Sequence, residues 1–433
     1  MCNLRMRKNQ DDTIISLNLR AAMKYINKNQ LILFVLISTV GLVVSGCATK
    51  TKSVENLLNQ PATEISVFHQ SRKYEKAGLT VVYLKGTPYE IGLAHGKLAK
   101  NEILTANKPF FDIYEKVSLD PQNEWLKVSK KLEKHIPKEY IEEMRGISVG
   151  ADIEYEKILF INTLSTISMK NGCFAFAFKS AGPQIITLRQ DDEDKYTDFH
   201  KEMILYIVKP EKGLGFAAIL TPGWVDGETG INEMGITVSQ NNIGIKQKIW
   251  DVIPITILSR YMLQYSETID DIEKILDEKK AYPGRLIFAS SKDNASVFEF
   301  VNNEKARINM ENGFLVLSNH ARRIPSKEIG RGSAKRLSYA EKFLNEHIDD
   351  MKVEMAIELV RTPLISRANF WDSFRVHNRQ SYIFSPSTLD FWIAIPPKSI
   401  NKPASYGSYV GFNLQHELYG SGDEASPKSF PAY

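Results

Sequence analysis

The hydrophobic period of this chain changes at Cys173. From that residue Phe174, Phe176 and Phe178 alternate with Cys173, Ala175 and Ala177, the period-two pattern of a strand with its phenylalanines on one face. The stretch before it, residues 76–170, reads mostly as helix. Thr87-Pro88-Tyr89-Glu90 has the form of a capping box and predicts a helix through about Leu104. Pro137 starts another, with Tyr140, Ile141, Met144 and Ile147 at helical spacing and Gly150 as its stop; a third runs from Glu154 to about Ser168.

After Cys173 the pattern predicts strands over 184–189, 203–208, 215–220, 228–232 and 235–241, the last two joined by a turn at Asn232-Glu233-Met234-Gly235. Helices follow at 254–265 and 268–279, strands at 284–290, 296–301, 305–310 and 314–318, helices at 333–346 and 351–361, and strands near 380–385 and 390–395. Strand runs separated by helix pairs predict an α+β fold of stacked sheets with helices outside. There is no internal repeat.

The N-terminus carries an address. Residues 31–44 are apolar, preceded by Lys24 and Lys28, too short for a comfortable membrane span and of signal-peptide length. Val44-Ser45-Gly46-Cys47 resembles a bacterial lipobox, which makes residues 1–47 a lipoprotein signal peptide and Cys47 the lipidated mature N-terminus. The expected location is the bacterial cell envelope, lipid-anchored on its periplasmic or extracellular face. Met23 is a plausible alternative start. Residues 48–75, polar and rich in Lys, Ser, Asn and Gln, read as a tether.

Residues 1–47 hold six Lys/Arg against Asp11 and Asp12, which accounts for the whole formal charge of +4. The body is therefore charge-balanced and carries no electrostatic footprint for nucleic acid. Cys2 leaves with the leader and Cys47 takes lipid, so Cys173 is the lone cysteine of the mature body, in a compartment that permits disulfides. A lone cysteine is more often a small buried hydrophobe than a nucleophile.

Its context points to chemistry. Cys173 opens a strand directly after Gly172. Were that bond cut, the thiol and a free α-amine would belong to one residue. An α-amine with a pKa of about 7.7–8.0 can take the thiol proton without a histidine. Gly172 lacks a Cβ and can adopt the geometry that internal attack needs. Arg189 lies sixteen residues on, at the end of the neighbouring strand, followed by Gln190, Asp191 and Asp192. Hairpin pairing returns Arg189 to the start of the first strand, where a guanidinium favours thiolate and a carboxylate orients the amine. In an extended strand Arg189 and Asp191 share a face, and Asp192 would need a bend. The same residues also fit a surface cluster in an acidic loop.

Asn171-Gly172-Cys173 with Arg189 and Asp192 resembles the N-terminal-nucleophile cysteine hydrolases related to the acyl-coenzyme A:6-aminopenicillanic acid acyltransferase (peptidase family C45). Gly86 to Gly96 resembles that family's pro-segment signature, Gly230 to Val238 its central hairpin, Ser318-Asn319-His320 a late Asn-His element, and Ser333-Ala334-Lys335-Arg336 the segment after it. The resemblance implies a four-layer αββα sandwich over 173–433, preceded by a mainly helical pro-segment over 76–172 and made by self-cleavage before Cys173. The two chains would stay associated as a heterodimer. Carried over, Cys173 is the nucleophile and, through its amine, the base; Arg189 and Asp192 tune it, and Asn319 donates to an oxyanion. The implied substrate is an N-acyl amide, hydrolysed or used for acyl transfer, with no cofactor. Phe174 and Gln190 depart from the commoner Thr or Ser and Asn.

Two other readings compete. One is a Cys-His peptidase or amidase pairing Cys173 with His320, against which stands the strand, where papain-type cysteines begin a helix. The other is a non-catalytic, ligand-binding surface lipoprotein of the same fold. His95 reads as packing in the pro-segment helix, Asn241 and Asn242 as faces of a pocket, and Trp224, Phe370 and Trp371 as acyl-pocket linings or core. Nothing resembles a zinc spacing, a P-loop or a dinucleotide fingerprint.

Overall fold

The computed structural model describes residues 62–120, 122–168, 172–182, 184–194, 203–243, 250–279, 284–301, 304–325, 331–366, 376–395, 402–420 and 426–432. All of these fall in one compact unit, Ser53–Tyr433. Cys47, Asn171, Phe370 and Trp371 lie outside the described residues.

The chain opens with three strands, β1 (Thr63–Phe68), β2 (Ser71–Lys76) and β3 (Leu79–Gly86). Five helices follow: α1 (Pro88–Leu98), α2 (Lys100–Ser118), α3 (Glu124–Glu133), α4 (Lys138–Ala151) and α5 (Tyr155–Ser168). Then come β4 (Gly172–Lys179), β5 (Ile185–Asp194), β6 (Ile204–Pro210), β7 (Phe216–Leu220), β8 (Thr229–Asn232) and β9 (Thr237–Asn242). Helices α6 (Ile255–Tyr265) and α7 (Ile269–Glu278) precede β10 (Arg285–Ser290), β11 (Ala295–Val301), β12 (Glu304–Asn309) and β13 (Phe314–Leu317). The chain continues through α8 (Arg331–His347), α9 (Val353–Arg361), β14 (Val376–Ser385), β15 (Asp390–Ile395), β16 (Ser408–Asn413) and α10 (Leu414–Tyr419).

Two sheets result: ten strands in the order β1-β2-β3-β6-β7-β8-β9-β10-β11-β12, and six in the order β13-β4-β5-β14-β15-β16. They pack face to face. Val81, Tyr83, Ile207 and Ile231 of the larger sheet share a core with Tyr382, Phe384, Ile393 and Phe412 of the smaller, and Leu286 and Phe288 meet Ala175, Ala177 and Leu315. The outer face of the larger sheet is covered by α1, α2 and α4–α7. Phe174, Phe176 and Phe178 pack the outer face of the smaller sheet under α8 and α9. The fold is α+β in four layers, αββα, as expected.

The expected extent of the N-terminal tether is corrected. The tether expected over 48–75 cannot extend past residue 62, because residues 63–76 form β1 and β2. β1 is the edge of its sheet and mostly exposed, β2 beside it buries Ser71 and Tyr74, and the β2–β3 turn at Ala77-Gly78 takes positive φ at both residues, 52° and 85°. The pro-segment region, mainly helical as expected, also supplies β3, which pairs in parallel with β6 from Val81↔Leu205 to Gly86↔Pro210.

The capping box at Thr87 and Glu90 is present, but its helix ends at Leu98, not about Leu104. Gly150 is not a helix stop: Asp152, in the left-handed region at φ 59°, ends α4. Gly150 has a different task. With Gly146 it faces Gly92 and Gly96 of α1, and the two helices approach so closely that a Cβ on Gly146 would lie 2.3 Å from the Tyr89 carbonyl, and one on Gly150 2.3 Å from that of Leu93. Gly146→Ala should therefore cost about 1–3 kcal/mol by overpacking. Gly332→Ala, at a helical position with open space around it, should gain up to about 1 kcal/mol. Urea unfolding of the two variants checks the opposite signs.

Candidate active site

Cys173 sits on the inter-sheet face of β4. The antiparallel pairing with β5 sets Cys173 opposite Asp191, Gly172 opposite Asp192 and Ala175 opposite Arg189. Because side chains alternate, Cys173, Arg189 and Asp191 share the inter-sheet face, while Gly172, Gln190 and Asp192 belong to the helix-covered one. The thiol is buried, 1% exposed. Phe174 points away from it into the outer core, beneath the Arg336 guanidinium at 5.7 Å. The missing hydroxyl at position 174 is thus not missing from the thiol's side of the strand.

Around the thiol stand the Arg189 guanidinium and several acids. Arg189 is fully buried; its guanidinium bonds the Asp191 carboxylate and the Asn241 Oδ1 and donates to the Gln240 carbonyl at 2.6 Å. Glu228, just before β8, lies 4.0 Å from that guanidinium. The Cys173 Sγ and carboxylate oxygens of Asp191 and Glu228 all lie within 4.8 Å of one another. These three donors do not fit a metal centre, since the Arg189 guanidinium already binds Asp191 among them.

Burial pushes the Cys173 thiol well above its ordinary value; Arg189 opposes this, and Asp191, Glu228 and Asp192 reinforce it. The expected thiolate-favouring effect of Arg189 is real but outweighed while the peptide bond is intact. Burial also raises Asp191, with Arg189 pulling the other way. Glu228 rises to about 8 through burial and the neighbouring Asp191, and Asp226 to about 7 through burial.

A second guanidinium works from the helix side. Arg336 of α8 pairs with Asp192 at 2.8 Å, donates to the Cys173 carbonyl at 3.2 Å and to Asn319 Oδ1 at 2.8 Å. Asp192 is thus Arg336's partner and not Arg189's. Asn319 follows β13, whose pairing with β4 ends at Leu317↔Ala175 and brings position 319 beside Cys173. Its Oδ1 accepts from the Cys173 backbone N–H at 2.9 Å, and its Nδ2 donates to the Asn242 carbonyl at 2.8 Å. One amide N–H of Asn319 is left over from that bond.

The sequence reading named Cys173, Arg189, Asp192 and Asn319 for the site; the structure brings Cys173, Arg189 and Asn319 together and puts Asp192 behind the strand. The sequence reading left Asp191 as an alternative and assigned no role to Arg336, although Ser333-Ala334-Lys335-Arg336 stood out as a motif. Glu228 carried no signal beyond its acidity. The Asn241 side chain bridges Arg189 to the Ser318 carbonyl. His320 bonds Ser333 through Nδ1 at 2.7 Å, and burial lowers its pKa; the Cys173–His320 pairing is not formed. Trp224 is core, its Nε1 donating to Asn107.

Residues 184–383 match the acyl-coenzyme A:6-aminopenicillanic acid acyl-transferase family. The chain is 25% identical over 227 residues to the acyl-coenzyme A:6-aminopenicillanic-acid-acyltransferase 40 kDa form of Emericella nidulans, covering 51% of this chain and 62% of that protein. It is 24% identical over 260 residues to an uncharacterized protein of Archaeoglobus fulgidus, covering 50% of this chain and 42% of that one. The chain thus spans about half the length of the curated relatives it matches. Among solved structures, a conjugated bile acid hydrolase from Clostridium perfringens aligns with a TM-score of 0.43 at 9% identity, over 60% of this chain and 97% of that one. A Caenorhabditis elegans N-acylethanolamine-hydrolyzing acid amidase ortholog aligns at 0.40 and 15%, over 49% and 93%. Over residues 184–383 this chain is thus similar to the acyl-coenzyme A:6-aminopenicillanic acid acyl-transferase family.

Proposed function

We propose that this protein is a lipid-anchored, self-processing cysteine amidohydrolase or acyltransferase acting on N-acyl amides. The observation that carries the reading is the environment of one residue. The Cys173 thiol meets Asp191 and Arg189 on one side of β4, while its backbone nitrogen and carbonyl are held by Asn319 and Arg336.

In the uncut chain no α-amine exists, so Asp191 is the available proton acceptor. The thiol gives its proton to Asp191 as Sγ attacks the Gly172 carbonyl carbon. The C–S bond forms, the C–N bond breaks, and a proton passes to the departing Cys173 nitrogen. Water then hydrolyses the thioester, leaving a Gly172 carboxylate, a free thiol and a free α-amine. That amine, already oriented through Asn319 Oδ1, serves as base in turnover. Sγ takes the acyl group of the substrate as a thioester, and the substrate's amine leaves with the proton. Water or a second amine then resolves the thioester. The remaining N–H of Asn319 is available to the oxyanion.

Mass analysis of the purified protein should find two chains joined non-covalently, the second beginning at Cys173. Cys173→Ala should give one uncut, inactive chain; an active uncut wild type would overturn the reading. The two aspartates should part company. Asp191→Asn, by removing the proton acceptor, should slow cutting roughly 10²–10⁴-fold. Asp192→Asn leaves the buried Arg336 without its carboxylate and should cost about 3–5 kcal/mol of stability. Cutting kinetics and urea midpoints measured on both variants would show it. Cys47→Ser should move the protein from the detergent phase to the aqueous phase on partitioning.

A further inference from the structure

The loop Thr221–Glu228, between β7 and β8, is built largely by residues of the pro-segment. His95 of α1 accepts from the Gly223 amide through Nε2 at 2.9 Å. Asn107 of α2 donates to the Pro222 carbonyl at 2.7 Å and accepts from Trp224 Nε1 at 2.8 Å. Asn162 of α5 donates to the Gly223 carbonyl at 3.1 Å and accepts from the Val225 amide at 2.6 Å. All three side chains are essentially buried, at 0–1% exposed. Burial lowers the His95 pKa to about 3, with Arg260 adding to it, so the imidazole stays a neutral acceptor. Five hydrogen bonds from three helices hold this short segment, which ends at Glu228 beside the thiol and Asp191.

We propose that Glu228 is a positioning residue for the Cys173 chemistry, acting through Asp191, and that His95, Asn107 and Asn162 set its place through the loop. The inference rests on the self-processing reading above.

The groups facing Glu228 are Asp191 and Arg189 from β5, Arg285 from β10 and Asp226 from its own loop, with the Cys173 thiol on β4. Arg189 can balance one adjoining carboxylate. With Glu228 protonated, Arg189 and Asp191 form a neutral pair, and Asp191 is free to take the thiol proton. Once Glu228 ionises, a second negative charge stands within 4.8 Å of the sulfur, where negative charge must develop. Glu228 is neutral below its raised pKa and charged above it. Cutting should accordingly slow as pH rises beyond about 8, the reverse of a simple thiol, whose reactivity climbs with pH.

The test is the rate of cutting of freshly made chain, followed by mass analysis between pH 5 and about 9.5. Wild type should lose at least about tenfold in rate above pH 8, and Glu228→Gln, which cannot ionise, should cut without that fall. His95→Leu should slow cutting at least about tenfold, and His95→Gln, which restores an acceptor for Gly223, should recover most of that loss. A Glu228→Gln chain that keeps the wild-type alkaline fall, or equal rates in the two His95 variants, overturns the proposal. Should Glu228→Gln not fold, wild type alone decides: a rate rising monotonically with pH overturns it. A wild type that never cuts fails the self-processing reading instead.

Discussion

The register between β4 and β5 is the constraint on which the site depends. Side chains alternate along a strand, so a slip of one residue would move Cys173 to the helix-covered face and deliver Phe174 to the gap between the sheets. The sequence guards against that slip by size. Phe174, Phe176 and Phe178 fill the outer core beneath α8 and α9. Ala175 and Ala177 keep the inner face shallow enough for Leu286 and Phe288 of the opposing sheet. Exchanging those sets would leave voids outside and overlap inside, both costly in a close-packed interior. The packing of five side chains thus aims the sixth, the Cys173 thiol, into the gap between the sheets.

With the register fixed, two guanidinium–carboxylate pairs flank the first residues of β4. Arg189–Asp191 lies on the thiol side and Arg336–Asp192 on the other. Buried ion pairs gain little net stability, because desolvation offsets their attraction. Their value here is geometric. Arg336 ties Asp192, the Cys173 carbonyl and Asn319 Oδ1 to one planar group, and Arg189 ties Asp191, Asn241 and the Gln240 carbonyl to another. Cys173 is held between two rigid forks, Arg336 aimed at its backbone carbonyl and Arg189 at its side chain.

What was legible in the sequence followed from periodicity and caps. The alternation at Cys173, the box at Thr87 and the turn at Asn232–Gly235 all locate elements that the fold contains. The edge strand β1 and its neighbour β2 were illegible because they lack a clean apolar alternation: Ser71-Arg72-Lys73-Tyr74-Glu75-Lys76 reads as polar linker until its pairing is known. The division of labour between Asp191 and Asp192 was half legible. Alternation put Asp191 with Arg189, while the resemblance favoured Asp192; both aspartates prove to be ion-paired, on opposite faces of one strand. Arg336 and Glu228 were out of reach for a simpler reason, that sequence distance says nothing about which helix or loop closes over a given strand end.

The segment before Cys173 is bound into the fold by more than its helices. β3 is an interior strand of the ten-stranded sheet, third from one edge, with β2 on one side and β6 in parallel pairing on the other. Val82, Leu84, Ile91 and Met144 from before Cys173 share a core with Tyr206, Phe216, Val238 and Ile287 from after it. Each such side chain is worth about 1.5–3 kcal/mol of burial, so a handful outweighs the entropy gained by letting the halves separate. A cut between Gly172 and Cys173 would sever only the covalent link from α5 to β4. The β3–β6 ladder, the common core and the hydrogen bonds of His95, Asn107 and Asn162 to the 221–228 loop all run between the two pieces and would remain. A chain built this way would keep, after such a cut, the helices that arrange the residues around Cys173.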